Sequence, residues 1–309
     1  MKTVPFSGGT AAAVIAGMMR IPDKTDAEVR ELYDTARGAG IDFFDHADIY
    51  GGAMHVCEDR FASALQLSPS ERAEIVLQTK CGIVPAEQMF DFSYEHIIAQ
   101  AEGSLKALRT DYIDVLLLHR PDALVEPDEV ARAFDELEAA GKVRAFGVSN
   151  HTPRQIDLLR TAVTQPLVAN QLQLSITHSP IIAQGTAANM SGEEQSVVRD
   201  GGGIVDYCRI NDITIQAWSP FQGGFFDGVF LGNDKYAALN GVLDRLAAKY
   251  DVTPIAIATA WITRHPAHMQ VVLGTTTPQR VADAAAGADV VLSRAEWYEL
   301  FRTAGHIVP

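Results

Sequence analysis

The sequence predicts a single (β/α)₈ barrel, a fold class that rests on three observations. Apolar, strand-like runs alternate with helical segments along all 309 residues, which is typical of parallel strands covered by helices. There are eight such runs, the number that closes a barrel. Residues 17–22 read GMMRIP, without the G-x-G-x-x-G turn that the alternative, a doubly wound sheet, would favour. We therefore expect one barrel domain over residues 1–309.

The strand-like runs are almost continuously apolar, as expected for strands that are buried on both faces. They lie at 12–19, 43–48, 74–80, 112–119, 144–150, 167–175, 213–220 and 269–276. Helical periodicity between them is clear at 26–38, 94–108, 128–140 and 235–250. Glycines stand where helix ends are expected, at Gly38, Gly40 and Gly141.

Composition and charge restrict the classes of partner. A net charge of −14 repels a phosphate backbone, so we do not expect nucleic acid binding. Cys57, Cys81 and Cys208 are scattered and odd in number, which predicts no disulfide framework, no metal cluster and a cytoplasmic location. The apolar run 11–19 has roughly the length of a signal peptide, but Arg20 ends it and no cleavage pattern follows. No apolar stretch approaches the ~20 residues that cross a membrane.

Polar residues stand at or near the ends of three consecutive strand-like runs, where barrel enzymes hold their catalytic groups. The second strand ends in Asp45 with Tyr50 in the loop after it, Lys80 ends the third run and His119 ends the fourth. A nearby ammonium favours the tyrosine anion and so eases proton release, while Asp45 would keep a buried lysine charged. His119 would hydrogen-bond and orient a substrate oxygen. These residues predict a proton donor beside a carbonyl, as hydride addition requires.

Three motifs resemble the catalytic tetrad of the aldo-keto reductase family, and the likeness extends from about Gly17 to Pro309. The motifs are D-H-A-D-I-Y-G-G (45–52), L-Q-T-K (77–80) and L-L-L-H-R-P-D (116–122). The resemblance implies that Tyr50 is the general acid and base, that Lys80 modifies its pKa and that Asp45 is the partner of Lys80. It implies that His119 orients the substrate. The remaining polar residues nearby are expected to pack or to support the site: His46, Asp48, Cys81 and Asp122.

The resemblance also implies NADPH as cofactor. Ser149, Asn150 and Gln171 resemble the residues that bind the nicotinamide carboxamide, and Trp218 the aromatic residue that stacks on the ring, where tyrosine is commoner. Such stacking contributes about 1 kcal/mol beyond burial. The full set of implied cofactor residues is Gly17, Met18, Ser149, Asn150, Gln171, Trp218, Ser219, Pro220, Phe221, Gln222, Gly274, Thr275, Thr276 and Arg280.

The segment G-T-T-T-P-Q-R-V-A-D (274–283) resembles the family's motif for the adenosine 2′-phosphate. Thr275, Thr276 and Arg280 would bind this phosphate at a helix N-terminus, where the dipole favours an anion. Gly274 stands where lysine is often found, and Ala284 where an asparagine or an acidic residue is usual. NADH is therefore an alternative cofactor.

The expected substrate is a small aldehyde or ketone, or the corresponding alcohol, with Met19 lining its pocket. Two glycine-containing segments are expected to be loops, 178–203 and 221–234; in related aldo-keto reductases the second folds across the cofactor pyrophosphate. Two other functions are open. His46 and His119 suit a metal-dependent hydrolase on the same barrel, although the chain has no H-x-H pair. Channel-associated members of the family imply an NADPH-binding redox sensor with slow turnover, although the intact tetrad favours catalysis.

Overall fold

The computed structural model describes residues 1–187, 202–224 and 228–308. The strands are numbered in chain order through the described residues. They are β1 (Thr3–Phe6), β2 (Gly9–Ala12), β3 (Val14–Gly17), β4 (Phe43–Asp45), β5 (Val76–Cys81), β6 (Ile83–Val84), β7 (Met89–Phe90), β8 (Val115–Leu118), β9 (Phe146–Ser149), β10 (Leu167–Gln173), β11 (Thr214–Trp218) and β12 (Gln270–Leu273).

The helices are numbered in the same way. They are α1 (Asp26–Gly38), α2 (Val56–Leu65), α3 (Pro69–Ala73), α4 (Tyr94–Leu108), α5 (Pro127–Ala139), α6 (Pro153–Leu159), α7 (Pro180–Thr186), α8 (Ile204–Ile210), α9 (Ala237–Tyr250), α10 (Pro254–Thr263), α11 (Pro278–Gly287) and α12 (Arg294–Thr303). No helix among these residues is long and apolar enough to span a membrane.

Eight of the described strands form a closed parallel barrel in the order β10-β11-β12-β3-β4-β5-β8-β9. Each lies within or overlaps one of the predicted apolar runs, so the predicted (β/α)₈ barrel is confirmed. The barrel strands β3, β8, β9 and β12 are buried at every residue, which explains their apolar composition because neither face meets water. Parallel strands place all their C-terminal ends on one side, where the candidate site lies.

The N-terminal strand prediction was only partly right. The run 12–19 contains the end of an antiparallel β1–β2 hairpin as well as barrel strand β3. Phe6 of this hairpin packs against Phe43 at the start of β4, with ring centres 5.4 Å apart, and Thr214 at the start of β11 donates a hydrogen bond to the Pro5 carbonyl. The hairpin therefore covers the N-terminal end of the barrel, opposite the site.

Helix α1 has the predicted bounds and begins with a capping box, in which Thr25 and Glu28 bond each other's backbone N–H groups. The helix ends at Gly38, as predicted, and Gly40 just beyond it adopts the left-handed conformation, with φ of 82°. Helix α10 was not predicted. It is buried on nearly every side, so it lacks the polar face on which periodicity depends.

The two predicted loops are described in part. Residues 188–201 and 225–227 lie outside the described residues. Helix α7 occupies part of the segment 178–203, so the prediction of a loop was wrong there. In the second segment, the backbone N–H of Phe230 donates to the Phe221 carbonyl at 3.0 Å, and Phe230 is fully buried. The described parts of this segment therefore pair with each other and contact the core.

Candidate functional site

The structure brings Asp45, Tyr50, Lys80 and His119 together at the C-terminal end of the barrel. Lys80, fully buried on β5, donates hydrogen bonds to both oxygens of Asp45, at 2.8 Å and 2.7 Å. The same ammonium donates to the Tyr50 hydroxyl at 3.1 Å and to the His46 carbonyl at 2.7 Å. One ammonium thus links a carboxylate to a phenol.

Tyr50 lies in the loop between β4 and α2, and this loop is fixed to β5 by its backbone. The N–H of His46 donates to the Gln78 carbonyl at 2.8 Å, and the N–H of Asp48 donates to the Lys80 carbonyl at 3.1 Å. Gly51 follows Tyr50 with φ of 102°, where a Cβ atom would lie 2.7 Å from a methyl carbon of Val56. A side chain at this position would displace the turn that presents the phenol.

In the site, Lys80 is charged and Tyr50 is neutral. Burial alone lowers the pKa of Lys80, but Asp45 and Tyr50 together outweigh it, so the pKa is raised and the lysine stays charged. Burial raises the pKa of Tyr50, and the Lys80 ammonium only partly opposes this increase. The expectation that lysine leaves the phenol more acidic than usual is therefore corrected: its contribution has the expected sign, but desolvation is larger.

His119 follows β8 and presents its ring edge-on to Tyr50, with ring centres 5.9 Å apart. Burial holds the pKa of His119 well below its usual value, and the nearby Lys80 and Arg120 cations add to this effect. The imidazole is therefore neutral and has one N–H to donate. A neutral donor beside the phenol can orient a carbonyl oxygen without competing for the proton of Tyr50.

Four predicted cofactor residues form a hydrogen-bonded group at β9, β10 and β11. The indole N–H of Trp218 donates to Asn150 Oδ1 at 3.2 Å, and Asn150 Nδ2 donates to Ser149 Oγ at 2.8 Å. Ser149 in turn donates to the Gln171 carbonyl at 3.0 Å. The Gln171 side chain points to the tetrad and donates to Asp45 at 3.0 Å, a contact that the motif comparison did not predict.

The other predicted cofactor residues follow β3, β11 and β12. Gly17 ends β3 so close to β12 that a Cβ would lie 2.3 Å from the Leu273 carbonyl oxygen, which requires glycine there. Arg20 donates to the Gly274 carbonyl at 2.8 Å. Thr275 and Thr276 lead into α11, whose first turn carries Arg280, an exposed side chain. The remaining positions differ in exposure: Met18 and Pro220 are buried, Ser219, Phe221 and Gln222 are half-buried, and Met19 is exposed.

Two features of the site were not predicted from sequence. Arg120 lies half-buried beside Trp218, with its guanidinium carbon 5.8 Å from the indole ring centre. It was visible only as part of the motif L-L-L-H-R-P-D. Gln78 donates to Asp45 Oδ1 at 2.6 Å. It stands inside the motif L-Q-T-K, but the sequence does not indicate a role for it, because glutamine is usually a surface residue.

The residues expected to support the site are buried or bind backbone N–H groups. His46, Asp48 and Cys81 are buried, and the Asp122 carboxylate accepts the backbone N–H groups of Phe92 and Leu124. No three His, Cys, Asp or Glu side chains are grouped as metal ligands in the described part of the chain.

Known proteins resemble this chain over nearly its full length. Residues 13–302 match the model of the aldo/keto reductase family. The chain is 36% identical to the uncharacterized oxidoreductase YcsN of Bacillus subtilis, over 96% of this chain and 95% of YcsN. It is 34% identical to the 6-dehydroglucose reductase of Agrobacterium fabrum, over 94% of this chain and 93% of that protein.

A solved structure shares the fold. The thermostable aldo-keto reductase Tm1743, crystallised with the inhibitor epalrestat, superposes with a TM-score of 0.77 at 21% identity, covering 98% of this chain and 100% of that one. The match over residues 13–302 and the two relatives that are 36% and 34% identical show that the chain is an oxidoreductase and belongs to the aldo-keto reductase family.

Proposed function

We propose that the protein reduces a small aldehyde or ketone to the alcohol, or catalyses the reverse reaction, with NADPH as hydride donor and Tyr50 as general acid. The contact between the Lys80 ammonium and the Tyr50 hydroxyl, at 3.1 Å, carries the proposal. Burial keeps Tyr50 protonated at neutral pH, so the phenol has a proton to give. As negative charge develops on the carbonyl oxygen, the adjacent ammonium stabilises both that charge and the phenolate left behind.

The residues around Trp218 suit a nicotinamide cofactor. A half-buried indole, held in place by its bond to Asn150, offers a flat surface on which the nicotinamide ring would stack. The first turn of α11 presents the backbone N–H groups of Gln279 and Arg280, and the Arg280 side chain supplies a cation, for the 2′-phosphate. When bound, the cofactor supplies a hydride to the carbonyl carbon.

The substrate oxygen would lie between the Tyr50 hydroxyl and the His119 ring, which accounts for their edge-on arrangement. Met19, which is 42% exposed, would contact the rest of the substrate, and the half-buried Arg120 adds hydrogen-bond donors on the Trp218 side. These donors favour a polar substrate. Since one close relative is a 6-dehydroglucose reductase, we propose that hydroxylated aldehydes belong in the first set of compounds tested.

Loss of NADPH absorbance in the presence of aldehydes, ketones and 6-dehydroglucose tests this function. The matched variant is Tyr50→Phe, which removes only the hydroxyl. It should lower kcat by about 10²–10⁴-fold, the usual contribution of a general acid, and leave the NADPH dissociation constant nearly unchanged. A variant that retains most of its kcat would exclude Tyr50 as the acid. Tight NADPH binding by the wild type without reduction of any carbonyl would favour the redox sensor.

A further inference from the structure

Four buried glutamines fill the barrel interior next to Asp45: Gln78 on β5, Gln171 on β10, Gln216 on β11 and Gln270 on β12. Gln78 Nε2 donates to Gln216 Oε1 at 2.9 Å, and Gln216 Nε2 donates back to Gln78 Oε1 at 3.0 Å. Strands β5 and β11 are not neighbours in the barrel, so this pair of bonds crosses the interior. Buried amides are costly unless they are hydrogen-bonded, and these bonds remove that cost.

The orientation of each amide is fixed from both ends of the network. At one end, the carboxylate of Asp45 only accepts hydrogen bonds, so Gln78 and Gln171 must present their nitrogens to it. At the other end, the Ala12 carbonyl also only accepts, so Gln270 presents its nitrogen there, at 2.8 Å. Its Oε1 then accepts from Gln216 Nε2, at 3.1 Å. The bonds at the Asp45 end require the same orientation of the Gln216 amide, because there its Oε1 accepts from both Gln78 and Gln171.

The network acts on one atom of the tetrad. Asp45 Oδ1 accepts from Gln78 at 2.6 Å, from Lys80 at 2.8 Å and from Gln171 at 3.0 Å, whereas Oδ2 accepts from Lys80 at 2.7 Å. Two amide donors on Oδ1 fix the rotation of the carboxylate and stabilise its charge. The direction of Asp45 determines where the Lys80 ammonium lies relative to the Tyr50 hydroxyl.

We propose that Gln78 and Gln216 are positioning residues for proton transfer: through Asp45 they hold the Lys80 ammonium against the Tyr50 hydroxyl. Gln78 acts directly on Asp45, and Gln216 acts by holding the amides of Gln78 and Gln171. The inference rests on the proposed role of Tyr50 and gives a role to two residues to which the family resemblance assigns none. Without the Gln78 donor, Asp45 draws the ammonium towards itself and away from the phenol, so the phenolate forms less readily.

The pH dependence of alcohol oxidation tests this role, because oxidation requires Tyr50 as a base. The variant is Gln78→Met, which keeps the length of the side chain and removes its donor and its acceptor. In the wild type, kcat for oxidation should rise with pH as Tyr50 ionises. We expect this rise to move to higher pH by about one unit in the variant, so that at pH values below the rise kcat is about tenfold lower than in the wild type. The NADP⁺ dissociation constant is measured as well, because Gln78 shares Asp45 and Gln216 with Gln171, one of the proposed cofactor residues.

Gln270→Met is the matched control. Gln270 is equally buried and belongs to the same network, but it does not contact Asp45, so its loss should reduce stability without moving the pH profile. Both variants retain every titratable or charged group that faces Tyr50, namely Lys80, Asp45, Asp48, His119 and Arg120.

Equal pH profiles for Gln78→Met and Gln270→Met would overturn the inference. If Gln78→Met does not fold, Gln216→Met is measured in its place and judged by the same shift. The proposed function is tested separately by Tyr50→Phe. An inactive Tyr50→Phe together with an unshifted Gln78→Met would remove the positioning role and leave the proposed function standing.

Discussion

Lys80 donates a hydrogen bond to the Tyr50 hydroxyl at 3.1 Å and has no exposed surface of its own. A charge in such an environment acts strongly on its neighbours, because little water is present to screen it. Burial raises the pKa of Tyr50, and the ammonium limits that rise. We therefore propose that the main role of Lys80 is to limit the increase in the pKa of Tyr50, so that the phenol can ionise in a site that disfavours its anion.

Lys80→Met should move the alkaline rise of alcohol oxidation to higher pH. The sign follows from Tyr50: its pKa is already raised by burial, and loss of the opposing ammonium raises it further, so less phenolate is present at any given pH. We expect a shift of about 1–3 units, the usual effect of a close opposite charge, measured as kcat for oxidation against pH.

Lys80→Met also leaves the Asp45 carboxylate without its charged partner, so a control must separate this loss of stability from the change in the pH profile. Breaking a buried ion pair on one side destabilises a protein by about 3–5 kcal/mol. Asp45→Asn/Lys80→Met removes both charges and should recover stability, measured by thermal unfolding, without recovering the pH profile. If the profile of the double variant returned to that of the wild type, the shift would report the loss of stability and not the loss of the ammonium.

Arg280→Ala should distinguish the two nicotinamide cofactors. A hydrogen bond to a charged group contributes about 1.5–3 kcal/mol. Its loss should increase the dissociation constant of NADPH by roughly 10- to 150-fold, whereas that of NADH should change little. Binding titrations with both cofactors measure this difference. Arg294→Ala, at another exposed helix N-terminus, is the matched control and should change neither constant. Equal losses for NADPH and NADH would place Arg280 outside the 2′-phosphate site.

Trp218→Leu should weaken both cofactors alike, because the nicotinamide ring is common to them. Loss of stacking costs about 1 kcal/mol, which is roughly a fivefold increase in each dissociation constant. Trp218→Tyr keeps a flat ring, although it removes the indole N–H that donates to Asn150. Its dissociation constants for both cofactors should stay close to those of the wild type. A variant with leucine that binds both cofactors normally would show that Trp218 packs in the wall of the barrel and does not stack on the cofactor.

Much of this site could be predicted because its signals are local in sequence. The apolar runs indicated where strands lie, and the ends of parallel strands meet on one side of a barrel. Asp45, Lys80 and His119 stand at or directly after strands in the structure, so their strand positions also predicted their proximity. The motif spacing then distinguished these residues from ordinary charged residues at strand ends.

The features that were missed depend on contacts between distant segments. Gln78 and Gln216 are 138 positions apart, and nothing beside either residue indicates that the other lies across the barrel. The pKa of Tyr50 depends on how completely neighbouring elements bury it, and a motif does not record burial. Helix α10 is apolar on all sides, so periodicity did not distinguish it from a strand.

Asp48 and His46 are buried in the loop that carries Tyr50, and their contributions to stability change with pH in opposite directions. Burial raises the pKa of Asp48 to about 7, with a further contribution from Glu58, so the native state holds a proton that the unfolded state releases. This contribution to stability is complete below the unfolded value and is lost as pH rises through about 7. Burial lowers the pKa of His46 to about 4, so its contribution is present above its unfolded value and is lost as pH falls through about 4.

Asp48→Asn should therefore make the free energy of unfolding fall more steeply than in the wild type as pH decreases from about 6 to about 5, by about 1.4 kcal/mol per pH unit, the effect of one proton. His46→Asn should make the fall shallower by a similar amount, because the unfolded state then has one fewer proton to gain. Urea unfolding at these two pH values measures both slopes. In the double variant the two changes in slope should cancel, because one substitution removes a proton that the native state holds and the other removes a proton that the unfolded state gains. Parallel slopes for the wild type and both single variants would show that Asp48 and His46 titrate as they do in the unfolded chain.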